Sequence, residues 1–170
     1  MRWMTEQEYR QSGAEATGVT INVAFLMEIK SDFGFRELLN ETHRQLQPSS
    51  PSQKVPARRA ADWLSDLRDE LETYFALEEF YGYFDDAATH NPRVGVDACK
   101  LRGEHESLYL ELSDLVESAQ QIVYRKCGPE LTVESLARQF DLFCKHLADH
   151  EQAEMELMMQ LCNEDIGVGD

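Results

Sequence analysis

An all-α, antiparallel up-down-up-down four-helix bundle is the fold that this sequence predicts. Three observations carry the prediction. Apolar residues recur every three or four positions over long stretches, strand-type alternation is almost absent, and the helix breakers are gathered into a few short clusters that cut the chain into four. At 170 residues, with only five prolines and nine glycines, the chain has the length of one domain that buries a core without disulfides or other staples.

Residues 1–19 are polar and mixed, interrupted by Gly13 and Gly18, and are expected to form an N-terminal arm. Thr20 offers a cap to a first helix over about 21–47, which Pro48-Ser49-Ser50-Pro51-Ser52 ends. Pro56 suits the start of a second helix, from Ala57 to about Asp86. Asn91-Pro92 marks the next loop, and a third periodic run from about Val96 to Lys126 is closed by Gly128-Pro129. Thr132 opens a last helix to about Cys162. The bundle is thus expected over 20–163, followed by a flexible tail at 164–170. Short loops between long helices make sequence neighbours antiparallel.

Charge narrows the functional classes. Thirty-two acidic against 16 basic residues give a formal charge of −16, which repels phosphate backbones and anionic lipid, so neither nucleic acid nor membrane is an expected partner. No apolar run approaches the roughly 20 residues of a membrane span. Cys99, Cys127, Cys144 and Cys162 form no Cys-x-x-Cys pair, and no basic-then-apolar export signal is read at the N-terminus. Cytoplasm is the expected compartment, and the cysteines are read as ordinary helix residues. Most of the carboxylates belong to a solvated surface.

Some do not. The apolar seam of each helix is broken near its middle by polar residues: Glu28 and Asp32 on the first, Tyr74 and Glu78 on the second, His105 with Tyr109 one turn on in the third, His150 and Glu154 on the fourth. In antiparallel neighbours the residue numbers at one height add to a constant set by the connecting loop. Loop ends near 47 and 57 put Tyr74 and Glu78 beside Glu28 and Asp32, and the same construction puts them beside His105 and Tyr109, and those beside His150 and Glu154. All these interruptions fall in one interior layer.

A single buried His or Tyr is ordinarily a hydrogen-bonded core residue. Four carboxylates with two imidazoles are a different matter, because burying unpaired carboxylates costs several kcal/mol each and the seams contain no Lys or Arg to meet them. Two divalent cations would offset four negative charges, and bundle cores are one setting in which carboxylates and imidazoles hold pairs of iron or manganese ions. Glu78, His105, His150 and Glu154, with Glu28 and Asp32, are therefore the expected metal ligands; Tyr74, Tyr109 and His146 are candidates for a supporting or additional role. His43 lies off the seam and roughly 20 Å from the layer at 1.5 Å per residue, and is expected at the surface. His90, in the loop before Pro92, carries no signal.

These elements resemble those of the hemerythrin-like, or HHE cation-binding, family. Thr73-Tyr74-Phe75-Ala76-Leu77-Glu78-Glu79 is similar to its His-Phe-x-x-Glu-Glu element with Tyr74 at the histidine. Glu104-His105 with Leu108 and Leu112 resembles its third-helix ligand histidine, and His150-Glu151-Gln152-Ala153-Glu154 its His-x-x-x-Glu element; His146 with Glu151 offers an alternative register. The resemblance implies a non-haem iron site, di-iron or mononuclear. The chain departs from the pattern on the first helix, where Glu28 and Asp32 stand in place of a histidine. Two histidines instead of about five make a harder, oxygen-rich site that also tolerates manganese or zinc and suits reversible oxygen carriage poorly. The rival ferritin-like set needs Glu-x-x-His, which this chain lacks. The function expected is binding, sensing or detoxifying a small diatomic or peroxide oxidant, with no protein partner indicated. The alternatives are a metal-free interaction module and a di-iron oxidase-type enzyme.

Overall fold

In the computed structural model, which describes residues 33–47, 55–80, 92–126 and 128–166, four helices account for nearly all of the chain described. They are α1 (Phe33–Leu46), α2 (Ala57–Phe80), α3 (Pro92–Val123) and α4 (Val133–Ile166). The first half of the expected first helix, with Glu28 and Asp32, lies outside the described residues, as do the expected arm and the end of the second helix beyond Phe80.

The ends follow from local chemistry. The Pro56 carbonyl accepts from the Arg59 and Ala60 amides at 2.9 and 3.1 Å, so the fixed backbone of proline leads straight into α2. Pro92 is the first residue of α3, which starts about four residues earlier than the periodicity indicates; a proline at that position forfeits no helical hydrogen bond. The same helix ends about three residues early. Arg125 adopts a left-handed conformation (φ 53°). The Lys126 amide reaches back to the Gln121 carbonyl at 3.0 Å and the Arg125 amide to Ile122 at 3.2 Å, the paired bonds of a Schellman cap. Thr132 caps α4 reciprocally: its hydroxyl accepts from the Ser135 amide (3.1 Å) while the Ser135 hydroxyl accepts from the Thr132 amide (2.9 Å). At its far end α4 continues to Ile166 because no breaker precedes Gly167.

Each helix packs against its neighbour in sequence, and α1 packs against α4, closing a ring of four. Cross-helix contacts give the directions. Along α3 and α4, Glu104 meets His150 and Glu111 meets His146, so numbers rise on one as they fall on the other. Arg36–Glu151 and His43–Asp141 show the same for α1 and α4, and Glu79–Arg102 with Phe75–His105 for α2 and α3. The core is built by leucines and phenylalanines of the seams, with Leu64, Leu67, Leu71, Leu112, Leu136, Phe140 and Phe143 wholly enclosed. Each such side chain contributes about 1.5–3 kcal/mol by leaving water, and together they hold the helices at fixed height. Among the described residues no helix is long and apolar enough to cross a membrane.

Candidate metal centre

Helical geometry fixes which side chains can meet. On α2, Leu71, Tyr74, Phe75 and Glu78 share the buried stripe because they are three or four residues apart; on α4, Leu147, His150, Glu154 and Leu157 do the same. His105 occupies the equivalent position on α3 between Leu101 and Leu108. Antiparallel packing then brings the three stripes together at one level. Glu78 and Glu154 are 0 % exposed, His105 3 % and His150 4 %.

Three of the four side chains, those of His105, His150 and Glu154, converge on one point, and Glu78 adjoins them through His105. His105 Nε2 lies 3.6 Å from Glu78 Oε2 and 3.5 Å from Glu154 Oε1, and His150 Nε2 lies 3.3 Å from the same Glu154 oxygen. Ligand atoms of His105, His150 and Glu154 all fall within 4.8 Å of one another, so this buried group is able to hold a metal ion. The spacing supports the fit. Donors bound to a common ion at about 2.1 Å in tetrahedral geometry stand about 3.4 Å apart, close to the separations seen. His150 Nε2 contacts Glu154 without the alignment of a good hydrogen bond.

The outward nitrogens explain the inward ones. His105 Nδ1 is 3.1 Å from Glu79 Oε1, and His150 Nδ1 is 3.0 Å from Glu104 Oε2. An ionised carboxylate only accepts, so each Nδ1 donates and each Nε2 is left facing Glu154. An imidazole lone pair directed at a carboxylate is repulsive. A cation between them, or a proton on Nε2, removes the repulsion; one divalent ion balances Glu78 and Glu154, and two imidazolium protons would do so as well. For His150, burial opposes protonation, but Glu154, Glu104 and Glu78 outweigh it and raise its pKa.

Aromatic rings enclose the group. Phe75 stacks flat on His105 (4.0 Å between centroids, 4° between planes) and meets His150 edge-on at 6.0 Å. The two imidazoles stand nearly perpendicular at 5.0 Å. Tyr74 stacks on Phe35, which ties the start of α1 to the same level. Burial, and then the negative charges of Glu78, Glu151 and Glu154, raise the pKa of the Tyr74 phenol, and its hydroxyl has no aligned hydrogen-bond partner among the described residues.

Of the expected ligands, then, Glu78, His105, His150 and Glu154 meet in the interior, while Glu28 and Asp32 lie outside the described residues. His146 is exposed and binds Glu111 at 3.0 Å, and Glu151 turns to Arg36, so neither member of the alternative register reaches the cluster. Tyr109 is half-buried on α3. His43 is exposed beside Asp141. Glu79 and Glu104, which the family motifs include but to which the sequence alone assigns no role, each stand next to a candidate ligand in the chain. A residue one step from a buried position is turned about 100° around the helix and lies at the groove with the next helix, where it can support that helix's ligand. Compared with models of protein families, with curated proteins and with solved structures, the chain gives no match.

Proposed function

We propose that this protein is a hemerythrin-like metal-binding bundle, holding non-haem iron at Glu78, His105, His150 and Glu154 and using it to bind, sense or detoxify a small oxidant such as oxygen, nitric oxide or peroxide. One observation carries the reading: two imidazoles, each backed through Nδ1 by a carboxylate, aim Nε2 at two fully buried glutamates. Glu78, His105, His150 and Glu154, which are among the residues that carry the resemblance, are all buried.

Two carboxylates and two neutral imidazoles match a divalent first-row ion in charge and in donor type. Glu154 would be the shared donor, since its Oε1 lies 3.5 Å from Nε2 of His105 and 3.3 Å from Nε2 of His150. A di-iron site is the preferred form, and its second ion would draw on Glu28 and Asp32; manganese or zinc would suit the same oxygen-rich set. A bound iron would supply electron exchange with the small oxidant. The chain's own part is to hold the donors rigid and keep water out: Phe75 covers one face of His105, and Tyr74 stays a neutral phenol available to donate a hydrogen bond at the edge of the cluster.

Elemental analysis of freshly purified protein tests this, together with anaerobic ferrous titration followed by mixing with oxygen, nitric oxide or peroxide. Stoichiometric iron and a spectral change on mixing are expected. Protein that contains no metal and takes up none rejects the proposal.

The raised pKa of His150 favours a second reading, in which imidazolium–carboxylate pairs satisfy the layer and the bundle is a metal-free interaction module. The two part on thermal melting. A ligand that binds the folded state raises the midpoint with concentration, and no rise with ferrous, manganous or zinc ions selects the metal-free reading.

A further inference from the structure

Both carboxylates behind the imidazoles divide their oxygens in the same way. Glu79 Oε1 takes His105 Nδ1, and its Oε2 takes Arg102 Nε at 3.4 Å. Glu104 Oε2 takes His150 Nδ1, and its Oε1 lies 3.7 Å from Lys100 Nζ. In each case one oxygen is given to the ring and the other to a cation on α3. The supports also interlock across the bundle. Glu79 follows the ligand Glu78 on α2 and reaches the ring on α3, while Glu104 precedes the ligand His105 on α3 and reaches the ring on α4.

We infer that Glu79 and Glu104 are positioning residues that hold His105 and His150 in the Nδ1–H form with Nε2 turned to the centre, and thereby set the affinity of the site for a divalent ion. The inference rests on the reading of the cluster as a metal site. The two nitrogens of each ring compete for a single proton. In a neutral imidazole either nitrogen can carry it, and carboxylates stand at both. The outer contacts, at 3.0 and 3.1 Å, are within ordinary hydrogen-bond length, whereas the inner ones run from 3.3 to 3.6 Å. The proton therefore stays outside, and the lone pair that binds a metal faces in. Loss of the outer carboxylate would let the proton move to Nε2, where it must be displaced before an ion binds, and would free the ring to rotate. Carboxylate support of this kind is worth roughly 10–100-fold in metal affinity.

The fold contains its own control. Glu111 holds His146 Nδ1 at 3.0 Å on the outside of the same two helices, with no ligand role for the ring. Its removal tests what loss of a surface carboxylate–imidazole pair does to α3 and α4 alone.

The experiment compares wild type, Glu79→Ala, Glu104→Ala, their Gln counterparts and Glu111→Ala on the full chain. Zinc affinity is measured by chelator competition, and ring tautomers by nitrogen-15 NMR of the metal-free protein with both rings neutral. Glu79→Ala and Glu104→Ala should each weaken zinc by roughly 10–100-fold. The Gln variants, which keep an acceptor, should recover part of the loss, and Glu111→Ala should match wild type. In the spectra, Glu79→Ala should move the His105 proton to Nε2 and leave His150 unchanged, with Glu104→Ala doing the reverse. Zinc affinities equal to that of Glu111→Ala, or tautomers unmoved by the Ala substitutions, overturn the inference. If wild type itself takes up no zinc, the metal-site reading fails, and the tautomers alone then decide whether the two carboxylates hold the rings.

Discussion

Glu154→Gln is the substitution that separates a metal centre from a hydrogen-bonded core most sharply. The change is isosteric, so it opens no cavity at a site that is 0 % exposed, and it removes only the charge and one acceptor. The structure makes that charge central, because Glu154 Oε1 is 3.3 Å from His150 Nε2 and 3.5 Å from His105 Nε2. For wild type, an ion supplied at a hundredfold its Kd stabilises the fold by about 2.7 kcal/mol. For a bundle of this size each kcal/mol is worth about 2–4 °C, so the melting midpoint should rise by roughly 5–11 °C. With Gln at 154 the set keeps two nitrogens and the Glu78 carboxylate, one negative charge short of balancing a divalent ion. At the same metal concentration the rise should fall below about 1 °C. The assay is differential scanning fluorimetry against a series of ferrous and zinc concentrations under anaerobic conditions, with chelator-treated protein as the zero. A variant that gains as much as wild type would show that Glu154 is not a ligand and would refute the convergence argument.

Four other outcomes follow from the same structure. His43→Ala and His146→Ala, both exposed and paired with surface carboxylates, should leave metal content unchanged and stability within about 0.5 kcal/mol, as read by elemental analysis and urea melts. Because His150 has its pKa raised in the metal-free fold, the stability it contributes is fully present below the unfolded value of 6.5 and is lost as pH rises through its folded pKa. The difference in urea stability between wild type and His150→Gln in chelator should therefore shrink with rising pH, whereas metal-loaded protein should show the opposite slope because the ion requires the deprotonated ring. Phe75→Ala removes the ring stacked on His105 from a nearly closed site and should cost about 3–5 kcal/mol in the metal-free protein, measurable by chemical denaturation. Arg125→Gly replaces a side chain held at φ 53° in the cap of α3 and should raise stability by up to about 1 kcal/mol, with no effect on metal uptake.

Much of the candidate site is legible in the sequence, and the reason is geometric. A helix converts sequence spacing into face and height with little freedom, so polar breaks in the seams of α2, α3 and α4, referred to a common level, pick out Glu78, His105, His150 and Glu154 together, while the break expected in the first seam lies outside the described residues. The same reasoning sends His43 to the surface, where it lies beside Asp141. Helix ends were less legible. Gly128-Pro129 is a stronger breaker than anything in Val123-Tyr124-Arg125, yet α3 stops at Val123 because Arg125 takes up a left-handed conformation that its residue type does not announce.

What the sequence by itself determined is the set of buried positions and their order along the bundle, because periodicity and loop length suffice to place backbone segments against one another. Only the tertiary structure decided how the side chains use the space between them. It turned Nε2 of both rings inward, laid Phe75 flat on His105, and enlisted Glu79 and Glu104, which periodicity alone assigns to the flanks. A carboxylate at the flank of one helix can reach solvent or bend into the groove toward the next. Which it does depends on a ring about 3 Å away on another helix, and that proximity exists only once the helices have packed.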